Sequence, residues 1–323
     1  MLILVCINIS WAHQMNLHQM VSINDYYSRN ALAPYAFRVL PLALFNLLTD
    51  GRIENTGFPR PLSNTAEIFQ LALDSISLFG TGVMLFLIAK NYGRVLTREA
   101  LVLATLYLLI MVVFGYFIVP NLSLFYPYDF IELFFCAMMV FISTHPFKYD
   151  LIAISIALFF GALAKETILF MALVYLILRF NGRYLGAKSI LTSLLFLAMF
   201  AASKYCAVEI AEHYYGGHIP KELFYNQLMY TVRQFKNPLF YFSMVGIFSY
   251  LYLPVLFIRK ELDKIDKLLL IMIFVWMLIM ANVGIVRELR IFSPMCVILF
   301  LVLMRHFDTL MHNMLGADRN RVS

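Results

Sequence analysis

Charged residues and cysteines are both scarce in this chain, and each shortage excludes a class of protein. Of the 323 residues, 14% are charged, whereas an average soluble domain carries about 25%. The four cysteines include no Cys-x-x-Cys pair and no ligand spacing with histidine, so neither a zinc module nor a disulfide framework is expected. Three of them lie in apolar segments, where cysteine packs as a small apolar residue.

Concentrated positive charge and histidine motifs are missing as well. The net charge of +6 comes from Lys and Arg scattered in short loops, which is typical of membrane topology signals rather than of a nucleic-acid surface. His213 and His218 share one loop but belong to no metal-binding motif. We therefore predict no nucleic-acid partner and no cofactor, while a divalent metal stays an alternative that no motif indicates.

Apolar residues dominate what is present. They make up 62% of the chain, the mean hydropathy is +0.79, and long apolar runs recur throughout. This pattern predicts an all-α, polytopic transmembrane helical bundle that forms one domain, 1–323, with about ten membrane passes, two of them short. The predicted spans are 1–12, 66–89, 100–119, 128–143, 151–164, 166–178, 189–205, 239–258, 268–285 and 291–304.

Basic residues predict which loops face the cytoplasm. They occur in loops 90–99, 144–150, 179–188 and 259–267, but not in loop 120–127. One alternation puts every basic loop and both termini inside, and it requires the run 151–180 to cross twice, turning near Lys165. The alternative is one long tilted helix, which inverts every downstream side and violates the rule.

This topology defines three regions outside the spans. We predict an outer loop at 13–65, a second outer loop at 206–238 and a cytoplasmic tail at 305–323. Within the first loop, segment 32–48 is apolar but is interrupted by two prolines and an arginine. It is therefore interpreted as a re-entrant or interfacial helix rather than a span.

Lys165 and Glu166 stand side by side within the apolar run 151–180. A charge at mid-membrane costs roughly 2.5–3.5 kcal/mol on insertion scales, so ionisable residues placed there usually mark a site. On a helix the two side chains point about 100° apart and need different partners. Pairing across helices and direct contact with a substrate are both open.

Three further acidic residues, Asp129, Glu132 and Asp74, lie within predicted spans. Asp129 and Glu132 are three residues apart and share a helix face, where Lys165, Arg287 or a divalent metal would balance them. Structural ion pairing is the alternative, above all for Glu132. Asp74 lies in the middle of a predicted span and is expected to point inward.

Arginines near the outer face are candidates for phosphate binding. Arg38 would hold a lipid-linked phosphate or a buried carboxylate, because guanidinium matches both, or it would snorkel to the interface. Arg287 and Arg290 share a helix face, with Glu288 beside them, and suit a phosphate or diphosphate. Asp25 would act as a general base on an acceptor hydroxyl, or it is a solvated or helix-capping residue.

Four segments together resemble bacterial membrane glycosyltransferases of the GT-C superfamily, in particular poorly characterised members and relatives. They are Asp25-Tyr26-Tyr27, the run PYAFRVLP at 34–41, Ala164-Lys165-Glu166-Thr167, and Arg287, Glu288 and Arg290 with Pro294. The resemblance implies a many-span fold with an outer-face cavity for a polyprenyl-phosphate-linked sugar. It implies that Asp25 is the catalytic carboxylate, and that Arg38, Arg287 and Arg290 bind the donor phosphate. Lys165, Glu166 and Glu288 are further candidates for substrate contact, with Asp129 and Glu132 in support.

The expected function is transfer of a sugar from a polyprenyl-phosphate donor to a glycan, lipid or protein. The expected place is the non-cytoplasmic face of the bacterial inner membrane, in cell-envelope polysaccharide biosynthesis. The expected partners are the lipid-linked donor and membrane lipids. A transporter or flippase, a polymerase of lipid-linked saccharides and a non-catalytic membrane assembly protein are the alternatives.

Overall fold

The computed structural model describes residues 2–15, 18–19, 22–31, 37–92, 96–113, 116, 124–181, 186–215, 253–283 and 293–315. Within these residues the regular structure is helical, apart from a two-residue parallel pairing of His18–Gln19 with Leu124–Phe125 and an isolated bridge between Asn55 and Asn64. The predicted all-α class is therefore confirmed.

Twelve helices can be given bounds in the described part of the chain. They are α1 (Leu2–Gln14), α2 (Ile23–Tyr27), α3 (Leu40–Thr49), α4 (Thr65–Tyr92), α5 (Thr97–Val112), α6 (Asp129–Thr144), α7 (Asp150–Ala164), α8 (Leu169–Phe180), α9 (Ala187–Tyr215), α10 (Lys264–Val283), α11 (Ser293–Arg305) and α12 (Phe307–Leu315). Nine of the ten predicted spans coincide with helices, α1 and α4 to α11. The tenth, 239–258, lies mostly outside the described residues, of which 253–258 are helical.

Two of these helices, α4 and α9, are long and apolar enough to cross a membrane. Four shorter apolar helices are α1, α3, α7 and α11. Large apolar side chains such as Leu191 and Leu197 are exposed on α9, where water would be a poor solvent for them. These features indicate membrane association, while passage of the membrane about ten times remains a prediction.

The interior has two apolar cores. The larger is centred on α4, α6 and α11, and α11 is buried along nearly its whole length. It includes Cys6, Cys136 and Cys296, in agreement with their predicted packing role. The smaller core joins α2 and α3 to the last turn of α7 and the final turns of α9, around Tyr26, Tyr27 and Phe45, and so anchors the segment between α1 and α4.

The chain turns between α7 and α8, as predicted. Lys165 ends α7 in an extended conformation, with φ −163° and ψ 144°, and a short 3-10 turn, Glu166–Ile168, leads into α8. The Arg179 guanidinium near the end of α8 pairs with the Asp150 carboxylate at the start of α7. The two helices are therefore antiparallel, and the alternative of one continuous helix is wrong.

Helix ends meet in two groups. At one end, called the Arg179 end, the Tyr92 hydroxyl donates to the Thr144 carbonyl, and Arg179 reaches the Ile142 carbonyl. Tyr92 also lines a cavity of about 540 Å³ together with Arg305 and His306. The basic loops predicted from the sequence thus join helix ends that all lie at this end.

The opposite end is called the Arg38 end. There the guanidinium of Arg38, just before α3, donates to the Tyr128 hydroxyl, just before α6. The Gln70 amide in α4 donates to the carbonyl of Pro127. Helices α6 to α9 therefore alternate in direction between the two ends, and α4 runs parallel to α6, as the predicted topology requires of these spans.

Some segments that were predicted to lie outside the spans include helical residues. The outer loop 206–238 is wrong in its first part, because α9 continues as helix to Tyr215; the remainder lies outside the described residues. Segment 32–48 overlaps α3, which has ten residues, ends one residue beyond the segment and carries a proline in its first turn. It is too short to span a membrane, in agreement with the prediction, and the tail 305–323 contains α12.

Candidate functional site

A buried ion pair forms one half of a charged cluster at the Arg38 end. The Lys165 Nζ lies 2.5 Å from Glu132 Oε2, and the two side chains are 7% and 2% exposed. The Thr167 hydroxyl donates to the other oxygen of Glu132. Both oxygens of this carboxylate are thus satisfied, which a buried charge pair needs in order to persist. Lys165 and Glu132 thus pair across helices, while contact of Lys165 with a substrate stays a prediction.

The other half of the cluster is open to solvent and is called the open pair site: Arg38, Glu166 and Lys204. Glu166 Oε2 lies 3.4 Å from Arg38 Nε, and Glu166 Oε1 lies 3.2 Å from Lys204 Nζ. The Glu166 side chain is 43% exposed. Lys165 and Glu166 therefore have different partners, as their helical angle predicted.

Arg38 is fixed by contacts that do not involve Glu166. Its guanidinium lies over the Tyr128 ring at 4.5 Å from the centroid and donates to the Tyr128 hydroxyl. The Arg38 carbonyl accepts a hydrogen bond from Tyr26. A cation on an aromatic face gains roughly 0.5–2 kcal/mol, depending on its desolvation. With a side chain 17% exposed and a carboxylate partner, Arg38 matches the predicted carboxylate pairing better than snorkelling.

Lys204 was not predicted from the sequence. Its Nζ donates to the Ala162 carbonyl at 2.7 Å as well as contacting Glu166. Ala162 belongs to the last turn of α7, whose carbonyls have no partner within the helix, and a lysine is a common partner for them. The signal that could have found it is the one that marked Lys165, a cation within an apolar run.

The break between α7 and α8 explains why charges collect here. The carbonyl end of α7 carries a partial negative charge, and the start of the next helix carries a partial positive charge. Lys204 lies against the first, and Glu166 opens the 3-10 turn that leads into the second. The charge pattern thus stabilises a chain reversal that contains no proline or glycine of its own.

A second polar network lies beside the cluster in α4. The Gln70 amide donates to Asp74 at 2.7 Å, and the Gln70 carbonyl oxygen accepts from the Tyr27 hydroxyl at 2.5 Å. Asp74 is buried, as its inward position predicted. Asp129 and Glu132 are also buried, at the start of α6, so these acidic residues support the architecture around the open pair site.

Asp25 lies on the exposed surface at the Arg38 end, in the first turn of α2. The Asp25 carboxylate accepts a hydrogen bond from the Ser22 hydroxyl at 2.6 Å. The Asp25 backbone N–H in turn donates to the oxygen of that Ser22 hydroxyl at 2.9 Å. This is a capping arrangement. Asp25 is not joined to the open pair site by an ion pair in the described structure, although its neighbour Tyr26 contacts Arg38. Arg287, Glu288 and Arg290 lie outside the described residues.

The site has the chemistry of an anion receptor. The open pair site carries two cations and one carboxylate, a net charge of +1, near apolar helices that lower the effective dielectric. In the part of the chain that the structure describes, no group of three or more His, Cys, Asp or Glu residues is placed to hold a metal ion. The arrangement is suited to holding a phosphate or carboxylate near the solvent boundary.

Comparison with protein-family models, curated proteins and solved structures finds no match for the chain. The described part of the chain is all-helical, with two helices long and apolar enough to cross a membrane, and the resemblance to GT-C glycosyltransferases remains a prediction from the residues.

Proposed function

We propose that this protein is a multi-pass membrane glycosyltransferase of the GT-C type. It moves a sugar from a polyprenyl-phosphate donor to a glycan, lipid or protein acceptor on the non-cytoplasmic face. The observation that carries the proposal is the open pair site, where Arg38 and Lys204 converge on one half-exposed carboxylate. An anionic lipid headgroup is the ligand class that such a pair of cations favours.

The position of the site supports an outward orientation. The helix ends next to the basic loops gather at the Arg179 end, opposite the open pair site. Cytoplasmic loops carry an excess of Lys and Arg, so the Arg179 end faces the cytoplasm in this proposal. The open pair site then faces outward from the bacterial inner membrane, where lipid-linked sugars serve as donors for envelope glycans.

The proposed chemistry is an inverting displacement at the sugar carbon. Asp25 removes the proton from an acceptor hydroxyl as that oxygen attacks. Arg38 and Lys204 stabilise the charge that grows on the departing phosphate, and Arg287 and Arg290 are proposed to add to it. The exposure of Asp25 at the Arg38 end supports this division of roles, because an acceptor from outside has direct access to it.

A transfer assay in proteoliposomes tests the proposal. Asp25→Asn is expected to abolish transfer from polyprenyl-phosphate sugars while the protein still folds, because an amide cannot take the proton. Asp50→Asn is the matched control, since Asp50 is an exposed residue at the end of α3 with φ 52°, a conformation that asparagine tolerates. Activity retained in Asp25→Asn would remove Asp25 from the catalytic role.

A transporter of lipid-linked saccharides is the second candidate, and the polar network of Gln70 and Asp74 favours it. These side chains are buried in α4 beside the site, and buried polar groups often line translocation paths. Labelling of a cysteine at position 166 from the cytoplasm as well as from outside would favour transport, whereas labelling from outside alone favours the transferase.

A further inference from the structure

The two ion pairs of the cluster differ in a way that separates structure from binding. The Lys165–Glu132 contact is short, fully buried and completed by Thr167. Both contacts of Glu166 are longer, at 3.4 Å and 3.2 Å, and its side chain is 43% exposed. Withdrawal of Glu166 into solvent would therefore cost far less than withdrawal of Glu132, because water can replace the lost partners of an exposed carboxylate.

The two cations would stay in place if Glu166 moved away. Arg38 is held by the face and the hydroxyl of Tyr128, and Lys204 is held by the Ala162 carbonyl. Arg38 contacts one oxygen of the Glu166 carboxylate and Lys204 contacts the other. The spacing of the two cations therefore suits two oxygens of one anionic group. A phosphate presents oxygens in a similar arrangement and carries more charge.

We infer that Glu166 is a resident counter-ion that an incoming phosphate group displaces, and that Lys204 is the second cation of this phosphate site beside Arg38. This inference rests on the proposed function and assigns a role to two residues of its site. Glu166 occupies the place of the ligand, so the ligand has to compete with it. The carboxylate also offsets one of the two neighbouring positive charges while the site is empty.

Removal of a residue that touches a ligand ordinarily weakens binding, whereas removal of a competing carboxylate strengthens it. Glu166→Gln keeps the size of the side chain and removes its charge, so a phosphate ligand should bind roughly tenfold more tightly, the effect of one charge-assisted hydrogen bond. Lys204→Gln should weaken binding by a similar factor.

The experiment is a calorimetric titration of the full-length protein in lipid nanodiscs with farnesyl monophosphate. Glu54→Gln is the matched control, because Glu54 is an exposed carboxylate in the loop before α4 at the same end; its dissociation constant should stay within twofold of wild type. Lys204→Arg should retain binding that Lys204→Gln loses. Weaker or unchanged binding in Glu166→Gln, relative to Glu54→Gln, would overturn the inference.

Further ligands identify the source of the phosphate, and a second variant replaces Glu166→Gln if that protein misfolds. Farnesol should gain nothing from Glu166→Gln, because it lacks the anion; an equal gain would overturn the inference. If inorganic phosphate and farnesyl monophosphate gain equally, the counter-ion role stands, while the lipid-linked donor of the proposed function loses its support. If Glu166→Gln does not fold, Glu166→Asp replaces it, since a shorter carboxylate reaches the cations less well and should also tighten binding.

Discussion

At the residue scale, the buried pair of Lys165 and Glu132 makes the sharpest stability prediction. Lys165→Met is expected to lower the free energy of unfolding by about 3–5 kcal/mol, because Glu132 is then a buried charge without its cation. The double variant Lys165→Met with Glu132→Leu should recover most of this loss. The measurement is thermal unfolding in detergent, followed for both variants and wild type.

The matched comparison uses the other lysine of the cluster. Lys204→Met leaves Glu166 half exposed and still paired with Arg38, so its loss of stability should be clearly smaller than that of Lys165→Met. Equal losses would mean that the two halves of the cluster do not differ as their burial indicates. A double variant no more stable than Lys165→Met would show that the pair is not an isolated unit.

Some residues of the charged cluster could be predicted from the sequence, and others could not. The cost of a charge in an apolar run identified Lys165 and Glu166. Helical spacing placed Glu132 and Asp129 on one face, with Lys165 as one of three possible partners, and the structure pairs Lys165 with Glu132. Lys204 was not predicted because it lies next to the predicted end of the span 189–205, where a lysine is common. Its role depends on an unpaired carbonyl of α7, which is a tertiary contact that no local pattern contains.

At the scale of elements, the α7–α8 hairpin depends on close packing at Gly161. A Cβ added there would lie 2.8 Å from the Ile168 side chain in the 3-10 turn and 3.1 Å from the Phe135 side chain in α6, so both neighbours would have to shift. Gly161→Ala is therefore expected to cost about 1–3 kcal/mol, as overpacking usually does, measured by thermal unfolding.

Gly82→Ala is the control for this change. Its added Cβ would meet the ends of flexible leucine side chains at 3.1 Å or more, which can adjust by rotation, and alanine favours the helix. The loss at Gly82 should therefore be smaller than at Gly161. The reverse order would argue against the observed approach of α7 to α8.

The hairpin itself is tested by exchanging the charges that join its far ends. Asp150→Arg alone and Arg179→Asp alone should each destabilise the protein, because each places two like charges together. The exchanged pair should regain part of the loss, on the order of 1 kcal/mol for a partly exposed ion pair. Additive losses in a double-mutant cycle would contradict the contact between these two residues.

Among the helices, α7 was predicted most accurately from the sequence. The start and end of α7 lie within one residue of their predicted positions, because a charge or a turn residue marks both. The end of α9 was misplaced, since the helix continues through Glu209 and Glu212 to Tyr215. Hydropathy detects where an apolar run ends. The backbone hydrogen bonds of a helix can continue beyond that point into polar sequence, so the two boundaries differ.

At the scale of the whole molecule, the two ends differ in the arrangement of their charges. At the Arg179 end, the Arg305 guanidinium pairs with two carboxylates, Asp263 and Asp266. Burial disfavours the charge of the Asp263 carboxylate, but a hydrogen bond from the Asp266 amide and the Arg305 guanidinium hold its pKa below the usual range. At the Arg38 end two cations, Arg38 and Lys204, instead share one carboxylate, that of Glu166. The proposed membrane orientation places this second arrangement on the outer side.

Labelling of single cysteines in a cysteine-free protein tests that orientation in intact cells. Exposed positions 25 and 54 belong to the Arg38 end, and exposed positions 148 and 261 belong to the Arg179 end. An impermeant maleimide is expected to label the first two from outside and the last two only after the membrane is opened, because basic loops stay in the cytoplasm. The reverse pattern would turn the open pair site toward the cytoplasm and remove outward-facing donors from consideration. Different sides for 148 and 261 would contradict the alternation of the helices itself, since the structure places both at one end of the same bundle.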